Sequence, residues 1–368
     1  MTAKTQLKQI SGAPQLDSGK EIPLGSSDPE ARPLINLAIE LKQLAPWQWM
    51  QETDLIGIEH PETGEIGFMS IMGTLGEHEA LALYLGAEGF YDFIDMVTDD
   101  DATADRVIGI RHVQAAFSDR QYLEKRDRDL LKELGFKFRG PMCWPSFRSY
   151  RAGYTPWFIT RAEARFLIHA LTQILEVAKR IRDEPQPFHP TGRVEKNGYL
   201  MRVSRKEESR LVWEDQVWLI PRPMQEPIQG VIDRELLEGL RHIPQVNLEL
   251  EVDLFMAPGR IGKPGDRPLA IYLLFLADSD SGFILGHEVK TAAESFAVMH
   301  ASIPESIAQM LWKNQIVPAK LIVRSQLLGD LLTPLTQELN IELRRSEELP
   351  AIDEAAEAMT AWMRGGKI

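Results

Sequence analysis

Acidic side chains at alternate positions in the last third of the chain could support metal-ion chemistry. Glu249, Glu251 and Asp253 are spaced two residues apart within VNLELEVDLF, residues 246–255. Because side chains alternate between the faces of a strand, this spacing predicts that all three share one face. Carboxylate oxygens suit Mg²⁺ or Mn²⁺, ions that polarise a phosphate and activate water. The alternative for Glu249 and Glu251 is the solvent-exposed face of an edge strand.

A second stretch, residues 136–157, combines positive charge with aromatic rings in a way that suits nucleic acid. Its sequence is FKFRGPMCWPSFRSYRAGYTPW. Arginine side chains recognise phosphates, and aromatic rings stack on bases. The candidate binding residues are Arg139, Trp144, Arg148, Arg151, Tyr154 and Trp157. The alternative is that the aromatic side chains pack in the core while Arg148 and Arg151 pair with acids.

The charge of the chain is unevenly distributed, although its net value is −13. Residues 106–182 contain 16 lysines and arginines against 7 aspartates and glutamates, a local balance of +9. Such a segment could bind a polynucleotide or another anion. It could equally pack against acidic parts of the same molecule, and the sequence leaves both interpretations open.

Common catalytic motifs are missing from the sequence. Cys143 is the only cysteine, which excludes an internal disulfide and a cysteine-rich zinc site. No HExxH, GxSxG, CxxC or GxGxxG pattern is present. The zinc-protease, serine-hydrolase, dithiol-redox and dinucleotide-binding classes therefore have no support.

Length and composition indicate two globular domains. The chain has 368 residues, of which 44% are hydrophobic and 26% charged, proportions typical of soluble globular proteins. Its longest apolar run, residues 269–277, is far shorter than the roughly 20 residues that span a bilayer. The N-terminus lacks the basic and apolar regions of a secretory signal. These features predict a cytoplasmic protein with no membrane segment.

Hydrophobic periodicity predicts an N-terminal α+β domain over residues 28–225, after a disordered tail over residues 1–27. The tail has no sustained apolar period. LIGIEHPETGEIGFMSIMG and HEALALYLG alternate between strand and turn signals, which predicts an antiparallel sheet with helices around it. Thr160 and Glu163 form a capping-box pattern at the start of a long amphipathic helix.

Residues 226–368 are predicted to form an α/β domain with the element order βββαβαβα. The strands are VNLELEVDLF, LAIYLLFLAD, FILGHEV, KLIVRS and IELRR, with helical segments after the third, fourth and fifth. A capping-box pattern from Thr291 to Glu294 predicts the start of the first helical segment. LAIYLLFLAD is apolar throughout, which indicates a central strand buried on both faces.

Four parts of the chain carry a family resemblance. They are DLIGIEHPETGEIGFMSIMGTLGEHEALALYLGAEG, PSFRSYRAGYTPWFITRAEARFL, EDQVWLIPRP and the C-terminal third. In these parts the chain resembles an uncharacterised bacterial two-domain family. The resemblance spans most of the chain and implies a two-domain organisation, but it implies no chemistry because the activity of that family is unassigned.

The βββαβαβα order is similar to that of ribonuclease-H-like domains, which include integrases, transposases and resolvases. Those enzymes hold two metal ions between acids on the first strand, near the fourth strand and on the last helix. The resemblance assigns a catalytic role to Glu251, Asp253, Glu294 and Glu357, with Asp253 and Glu357 as metal ligands. Arg324 and Ser325 follow the fourth strand, where those enzymes have an acid. An arginine there neutralises neighbouring carboxylates and repels a cation.

Three functional hypotheses follow from these observations. The first is a non-catalytic cytosolic binding or adaptor protein with a degenerate ribonuclease-H-like domain and no metal cofactor. The second is a nuclease or phosphoryl-transfer enzyme that depends on Mg²⁺ or Mn²⁺. The third is a nucleic-acid-binding protein that uses residues 136–157. The expected partner is therefore a protein or a nucleic acid, and the sequence does not distinguish between them.

Overall fold

The computed structural model describes residues 21–98, 108–183, 193–195, 198–208, 210–224 and 227–365. The chain divides into two compact units, Met1–Ala152 with Pro156–Met224, and Gly153–Thr155 with Gln225–Ile368. Both units combine helices with a mixed sheet, so the α+β class predicted from the sequence is confirmed. No helix in the described ranges is both long and apolar enough to cross a membrane.

Part of the predicted N-terminal tail is ordered. Residues 1–20 lie outside the described ranges, but residues 21–27 belong to the N-terminal unit. Leu24 is buried, and its N–H donates to the carbonyl of Ile159 at 2.8 Å. The prediction of disorder was therefore wrong for these seven residues, because a single leucine held by a backbone hydrogen bond produces no periodic signal.

The N-terminal unit is built on a sheet with nine described strands. The helices are α1 (Ala31–Leu44), α2 (Gly86–Thr98), α3 (Lys125–Glu133) and α4 (Arg161–Asp183). The strands are β1 (Ile56–Glu59), β2 (Ile66–Met72), β3 (Ala80–Leu85), β4 (His112–Ser118), β5 (Trp144–Tyr150), β6 (Trp157–Phe158), β7 (Arg193–Glu195), β8 (Gly198–Glu207) and β9 (Arg210–Leu219).

The strand order in this sheet is β6-β5-β4-β3-β2-β1-β8-β7, with β9 also paired to β8. Strands β1 to β6 pair antiparallel, whereas β8 runs parallel to β1, with Gly57 opposite Met201. The predicted antiparallel sheet is therefore mixed. The long helix α4 lies in the sequence between the antiparallel strands β1 to β6 and the later strands β7 to β9, and parallel pairing of distant strands requires such a long connection.

Helices cover both faces of the N-terminal sheet. On one face, α1 and α4 bury residues such as Leu34 and Leu167 against the strands. On the other face, Phe90 of α2 packs on Phe68 of β2 with a ring separation of 4.1 Å. The predicted capping box of α4 is confirmed, since the Thr160 N–H donates to Glu163 Oε2 at 2.7 Å and the reciprocal bond is also present.

His112 on β4 is fully buried in the N-terminal unit, between Tyr84 and Tyr150. Its ring stacks on Tyr150 at 4.0 Å, and its Nδ1–H donates to the carbonyl of Ile110 at 2.8 Å. Burial lowers the pKa of His112 from 6.5 to about 4, an effect that the hydrogen bond to Ile110 opposes. The ring is therefore neutral in the folded protein, whereas it takes up a proton in the unfolded chain below about pH 6.5.

We expect this difference to make the protein less stable in mild acid. As pH falls from about 6.5 towards 4, the unfolded chain binds a proton that folded His112 cannot, and the free energy of unfolding decreases by up to about 3 kcal/mol. His112→Phe keeps the aromatic stack and should remove this part of the pH dependence. Urea unfolding at a series of pH values measures how the free energy of unfolding changes with pH in the natural chain and in His112→Phe. The same pH dependence for both proteins would contradict the expectation.

The C-terminal unit has a five-stranded sheet and helices on both faces. The strands are β10 (Gln245–Ile261), β11 (Leu269–Asp278), β12 (Ile284–Lys290), β13 (Val317–Val323) and β14 (Glu342–Arg345). The helices are α5 (Arg234–Arg241), α6 (Phe296–Ala301), α7 (Ile303–Asn314), α8 (Gln326–Glu338) and α9 (Pro350–Gly365).

The long strand β10 lies at the centre of this sheet, whose order is β12-β11-β10-β13-β14. It pairs antiparallel with β11 and parallel with β13, and β13 pairs parallel with β14. Helices α5, α7 and α8 cover one face, and α9 covers the other. The interpretation of β10 as an edge strand is therefore wrong, because β10 lies between β11 and β13. Its acidic face is buried at Glu251 but half-exposed at Glu249.

Helix α6 begins four residues later than the predicted capping box requires, because that box makes Thr291 the N-cap. Ser295 is its N-cap, and the Ser295 hydroxyl accepts the N–H of Val298 at 3.1 Å. Glu294 is exposed in the bend that precedes the helix. The predicted role of Glu294 in a capping box with Thr291 is therefore wrong, since the adjacent serine caps the helix in its place.

Candidate functional site

Arg324 lies between two carboxylates of the C-terminal unit. It directly follows β13, and its Nη2 donates to Asp353 Oδ1 at 2.5 Å. Its Nε is 3.2 Å from Oδ2 of Asp253. Asp253 comes from β10 and Asp353 from the first turn of α9. The expectation that an arginine after the fourth strand neutralises nearby carboxylates is confirmed by these two ion pairs.

Asp253 is the more deeply placed of the two acids, with 8% of its surface exposed. Burial raises the pKa of Asp253, and the neighbouring Arg324 guanidinium acts in the opposite direction. Its Oδ1 also accepts the N–H of Leu254 at 3.0 Å. The carboxylate therefore has both a cation and a backbone donor as partners within the protein.

The other two alternating acids of β10 are also bound to protein groups. Glu251 is 1% exposed and accepts the Ser279 hydroxyl at 3.2 Å and the Ile352 N–H at 3.1 Å. Glu249 pairs with Lys320 on the adjacent strand β13 at 2.6 Å. Each of the three acids thus has a separate partner, and they do not form a shared ligand set.

The remaining members of the predicted catalytic set are exposed. Glu357 lies one helical turn after Asp353 on α9, and Glu294 lies before α6. Within the described ranges, no group of three or more His, Cys, Asp or Glu side chains is arranged to hold a metal ion. An Mg²⁺ or Mn²⁺ ion beside Asp253 would have to displace the guanidinium of Arg324. The residues present therefore do not fit the two-metal site that the ribonuclease-H-like resemblance implies.

Arg148, the central arginine of the basic and aromatic stretch 136–157, is bound to an acid of its own unit. Its Nη1 and Nη2 donate to the two oxygens of Asp127 at 2.9 and 2.6 Å. Its guanidinium also lies over the ring of Phe158, 4.8 Å from the centroid. Both members of the ion pair are largely buried, with side-chain exposures of 15% and 8%. Arg148 cannot reach a phosphate without breaking this pair.

The other predicted binding residues are dispersed. Arg151 pairs with Glu21 at 2.8 Å, and Trp144 packs against the ring of Phe138 with a centroid separation of 5.6 Å. Trp157 on β6 contacts Phe158 at 5.1 Å between ring centroids, and Arg139 is exposed. These placements agree with the alternative in which the aromatic side chains pack and the arginines bind acids.

Tyr154 falls in a different unit from the rest of the stretch. Residues Gly153–Thr155 group with the C-terminal unit, where Tyr154 forms an isolated bridge with Leu269. The N–H of Thr155 donates to the carbonyl of Pro268 at 3.0 Å. A local pattern of rings and charges gives no indication of such a division, so the sequence suggested one continuous surface.

Several positively charged side chains of residues 106–182 form ion pairs within the N-terminal unit. Several of its arginines pair with acids from other segments, namely Arg111 with Glu65, Arg151 with Glu21, Arg161 with Glu30, Arg165 with Glu62 and Arg180 with Asp215. Of the two interpretations of this segment, the structure therefore favours packing against acidic parts of the same molecule.

One cavity of the N-terminal unit brings together residues that sequence reasoning did not select. It has a volume of about 220 Å³, and His60, Arg111 and Glu163 are among its lining residues. These residues come from the turn after β1, the segment before β4 and the first turn of α4. Only the strand pairing brings them together, and no spacing in the sequence indicates that they are neighbours.

Comparison with known proteins gives two matches, both to domains without an assigned activity. Residues 32–202 match a domain of unknown function, DUF7309, and residues 236–360 match a second domain of unknown function, DUF6930. No curated protein matches the chain. The first matched segment lies in the N-terminal unit apart from residues 153–155, and the second lies in the C-terminal unit. The chain is therefore similar to DUF7309 in its first half and to DUF6930 in its last third, two domains of unknown function.

Proposed function

We propose that this chain is a non-catalytic binding or adaptor protein whose C-terminal unit is a degenerate ribonuclease-H-like domain. The order of its elements supports the fold assignment, since three antiparallel strands precede a helical region, a strand, a helix, a strand and a final helix. A shared fold does not imply a shared activity, so the function has to be argued from the side chains.

The observation that carries the proposal is the position of Arg324. A two-metal nuclease needs several carboxylates that converge on the same ions. Here the guanidinium of Arg324 contacts both Asp253 and Asp353, while Glu251 is engaged by Ser279 and Ile352. Fixed positive charge between the two aspartates disfavours a divalent cation at the same place.

We expect the melting temperature of the full chain to be the same in EDTA, in Mg²⁺ and in Mn²⁺. A ligand that binds only the folded state raises the melting temperature, so differential scanning fluorimetry detects such an ion. Asp253→Asn serves as the matched variant. A clear increase with Mg²⁺ or Mn²⁺ that Asp253→Asn abolishes would support the alternative of a metal-dependent nuclease and overturn the proposal.

Binding of nucleic acid by residues 136–157 is a separate outcome that salt titration detects. Phosphate contacts make the affinity fall steeply with salt concentration. Arg139 is the exposed arginine of this stretch, so Arg139→Ala tests it without breaking the buried pair of Arg148. Fluorescence anisotropy with labelled single-stranded RNA and DNA would show this function as a salt-dependent signal that Arg139→Ala weakens.

A further inference from the structure

The cavity of the N-terminal unit lies where several strands end. The turn after β1, the ends of β3 and β5, the start of β4 and the first turn of α4 all contribute to it. Its volume of about 220 Å³ is well above the space that a single water molecule needs. This space suits a small metabolite and is below the range typical for larger ligands.

His60 lines this cavity, and its hydrogen bonds fix which ring nitrogen carries the proton. Its Nδ1 accepts the N–H groups of Glu62 and Thr63 at 3.1 and 3.3 Å, so the proton of the neutral ring resides on Nε2. Burial lowers the pKa of His60, which favours this neutral form. The side chain is only 5% exposed, and within the described ranges its Nε2–H has no acceptor. A ligand atom in the cavity would supply one.

Arg111 and Glu65 form an ion pair on the cavity wall that leaves part of each group unused. Arg111 Nη2 donates to Glu65 Oε1 at 2.9 Å. The structure gives no other hydrogen bond for the guanidinium of Arg111 or for Glu65 Oε2 in the described part of the chain. The remaining donors of Arg111 suit a carboxylate, and the second oxygen of Glu65 suits an ammonium group.

The charges that line the cavity are balanced. Arg111 and Arg151 carry positive charge, Glu65 and Glu163 carry negative charge, and His60 is neutral. Glu163 accepts the Ser149 hydroxyl at 2.5 Å and the Thr160 N–H at 2.7 Å. A multiply charged anion such as phosphate would meet two carboxylates here, whereas a molecule with one charge of each sign finds a partner for both.

We propose that this cavity binds a small zwitterion of amino-acid size. Its carboxylate would accept from Arg111 and from His60 Nε2–H, and its ammonium group would donate to Glu65. The apolar side chains of Leu85, Val113 and Phe166 also line the cavity and would contact a short aliphatic side chain. This assignment concerns the N-terminal unit and does not depend on the proposed state of the Arg324 site.

The test uses the full chain and each of the standard free L-amino acids at millimolar concentration. Differential scanning fluorimetry is followed by calorimetric titration of those that raise the melting temperature. We expect at least one amino acid to bind, and we expect its N-acetyl and carboxamide derivatives to lose binding because each lacks one of the two charges. Arg111→Gln should weaken binding by about tenfold or more, the typical effect of losing a hydrogen bond to a charged group.

Two further variants separate loss of binding from loss of folding. Arg222→Gln is the matched control, because Arg222 pairs with Asp95 in the same unit but is not a lining residue of the cavity. The Arg222→Gln variant should bind the amino acid with the same affinity as the natural chain. Ala162→Leu narrows the cavity from the first turn of α4 and keeps every charge, so it should also prevent binding.

Three results would each overturn the proposal. The first is that no free amino acid binds the natural chain. The second is that acetate, propionate or inorganic phosphate binds as tightly as any amino acid, which would identify a simple anion site. The third is that a folded Arg111→Gln or Ala162→Leu variant retains the affinity of the natural chain.

Discussion

Asp127→Ala is expected to lower the free energy of unfolding by about 3–5 kcal/mol, the range seen when one partner of a buried ion pair is removed. The carboxylate of Asp127 accepts hydrogen bonds from both terminal nitrogens of Arg148. It also accepts one from the N–H of Glu124 at the start of α3. Its removal leaves the largely buried guanidinium of Arg148 with only the half-exposed carboxylate of Glu124, 3.8 Å away, as a counter-charge. It also removes one half of a capping box. Urea unfolding of the full chain measures the loss.

Asp129→Ala is the matched control on the same helix. Asp129 pairs with Lys125 at 2.7 Å, but this pair lies at the surface, where ion pairs contribute little. We expect almost no change in the free energy of unfolding for Asp129→Ala. The double variant with Arg148→Ala should lose less stability than the sum of the single variants, because it no longer contains a buried cation that has lost its main partner. A loss for Asp127→Ala as small as that for Asp129→Ala would show that the Arg148 pair is not important for folding.

The same ion pair illustrates what the sequence can and cannot predict. Arg148 and its aromatic neighbours were correctly identified as a group with two possible roles. The choice between those roles depends on Asp127, which lies 21 residues earlier and on a different element. A helix signal such as the Thr160 and Glu163 capping box is contained within four residues, and it was predicted correctly.

Long-range pairing limited the prediction of the fold in the same way. The parallel pairing of β1 with β8 places Gly57 opposite Met201, and no local pattern indicates which distant strand completes a sheet. In the C-terminal unit periodicity predicted the five strands and the helical segments after the third, fourth and fifth, but it did not predict α5, which precedes β10. The burial of Glu251 could not be predicted in this way. Strict alternation in β10 suggested one solvent-exposed face, whereas α9 covers Glu251 on that face.

The candidate sites show this limit most clearly. The position of Arg324 after β13 was visible in the sequence, because the end of a strand and its flanking residues are local features. Its second partner, Asp353, lies 29 residues later on α9, and no local pattern connects the two residues. No sequence pattern predicted the cavity around His60, because its lining residues come from separate elements between β1 and α4.

Arg324→Asp is expected to make the melting temperature of the protein depend on a divalent cation. Val252 of β10 is paired with Val323 of β13, so the residues that follow them, Asp253 and position 324, are neighbours across the sheet. A new carboxylate there would face Asp253 and Asp353 without the guanidinium that now separates them. In EDTA the like charges repel one another, and the variant should melt below the natural chain. Mn²⁺ or Mg²⁺ should reverse this loss.

The size of that reversal follows from mass action. An ion present at about 100 times its dissociation constant adds about 2.7 kcal/mol to the free energy of unfolding, which corresponds to a rise of several degrees in melting temperature. Arg324→Asn is the matched control, since it removes the cation without adding an acid, and it should melt at the same temperature in Mn²⁺ and in EDTA. Adding Asp253→Asn to Arg324→Asp should abolish the response. If Arg324→Asp itself melts identically with and without the ion, then Arg324 does not occupy a former metal position, and the resemblance of the C-terminal unit to metal-dependent nucleases ends at the order of its elements.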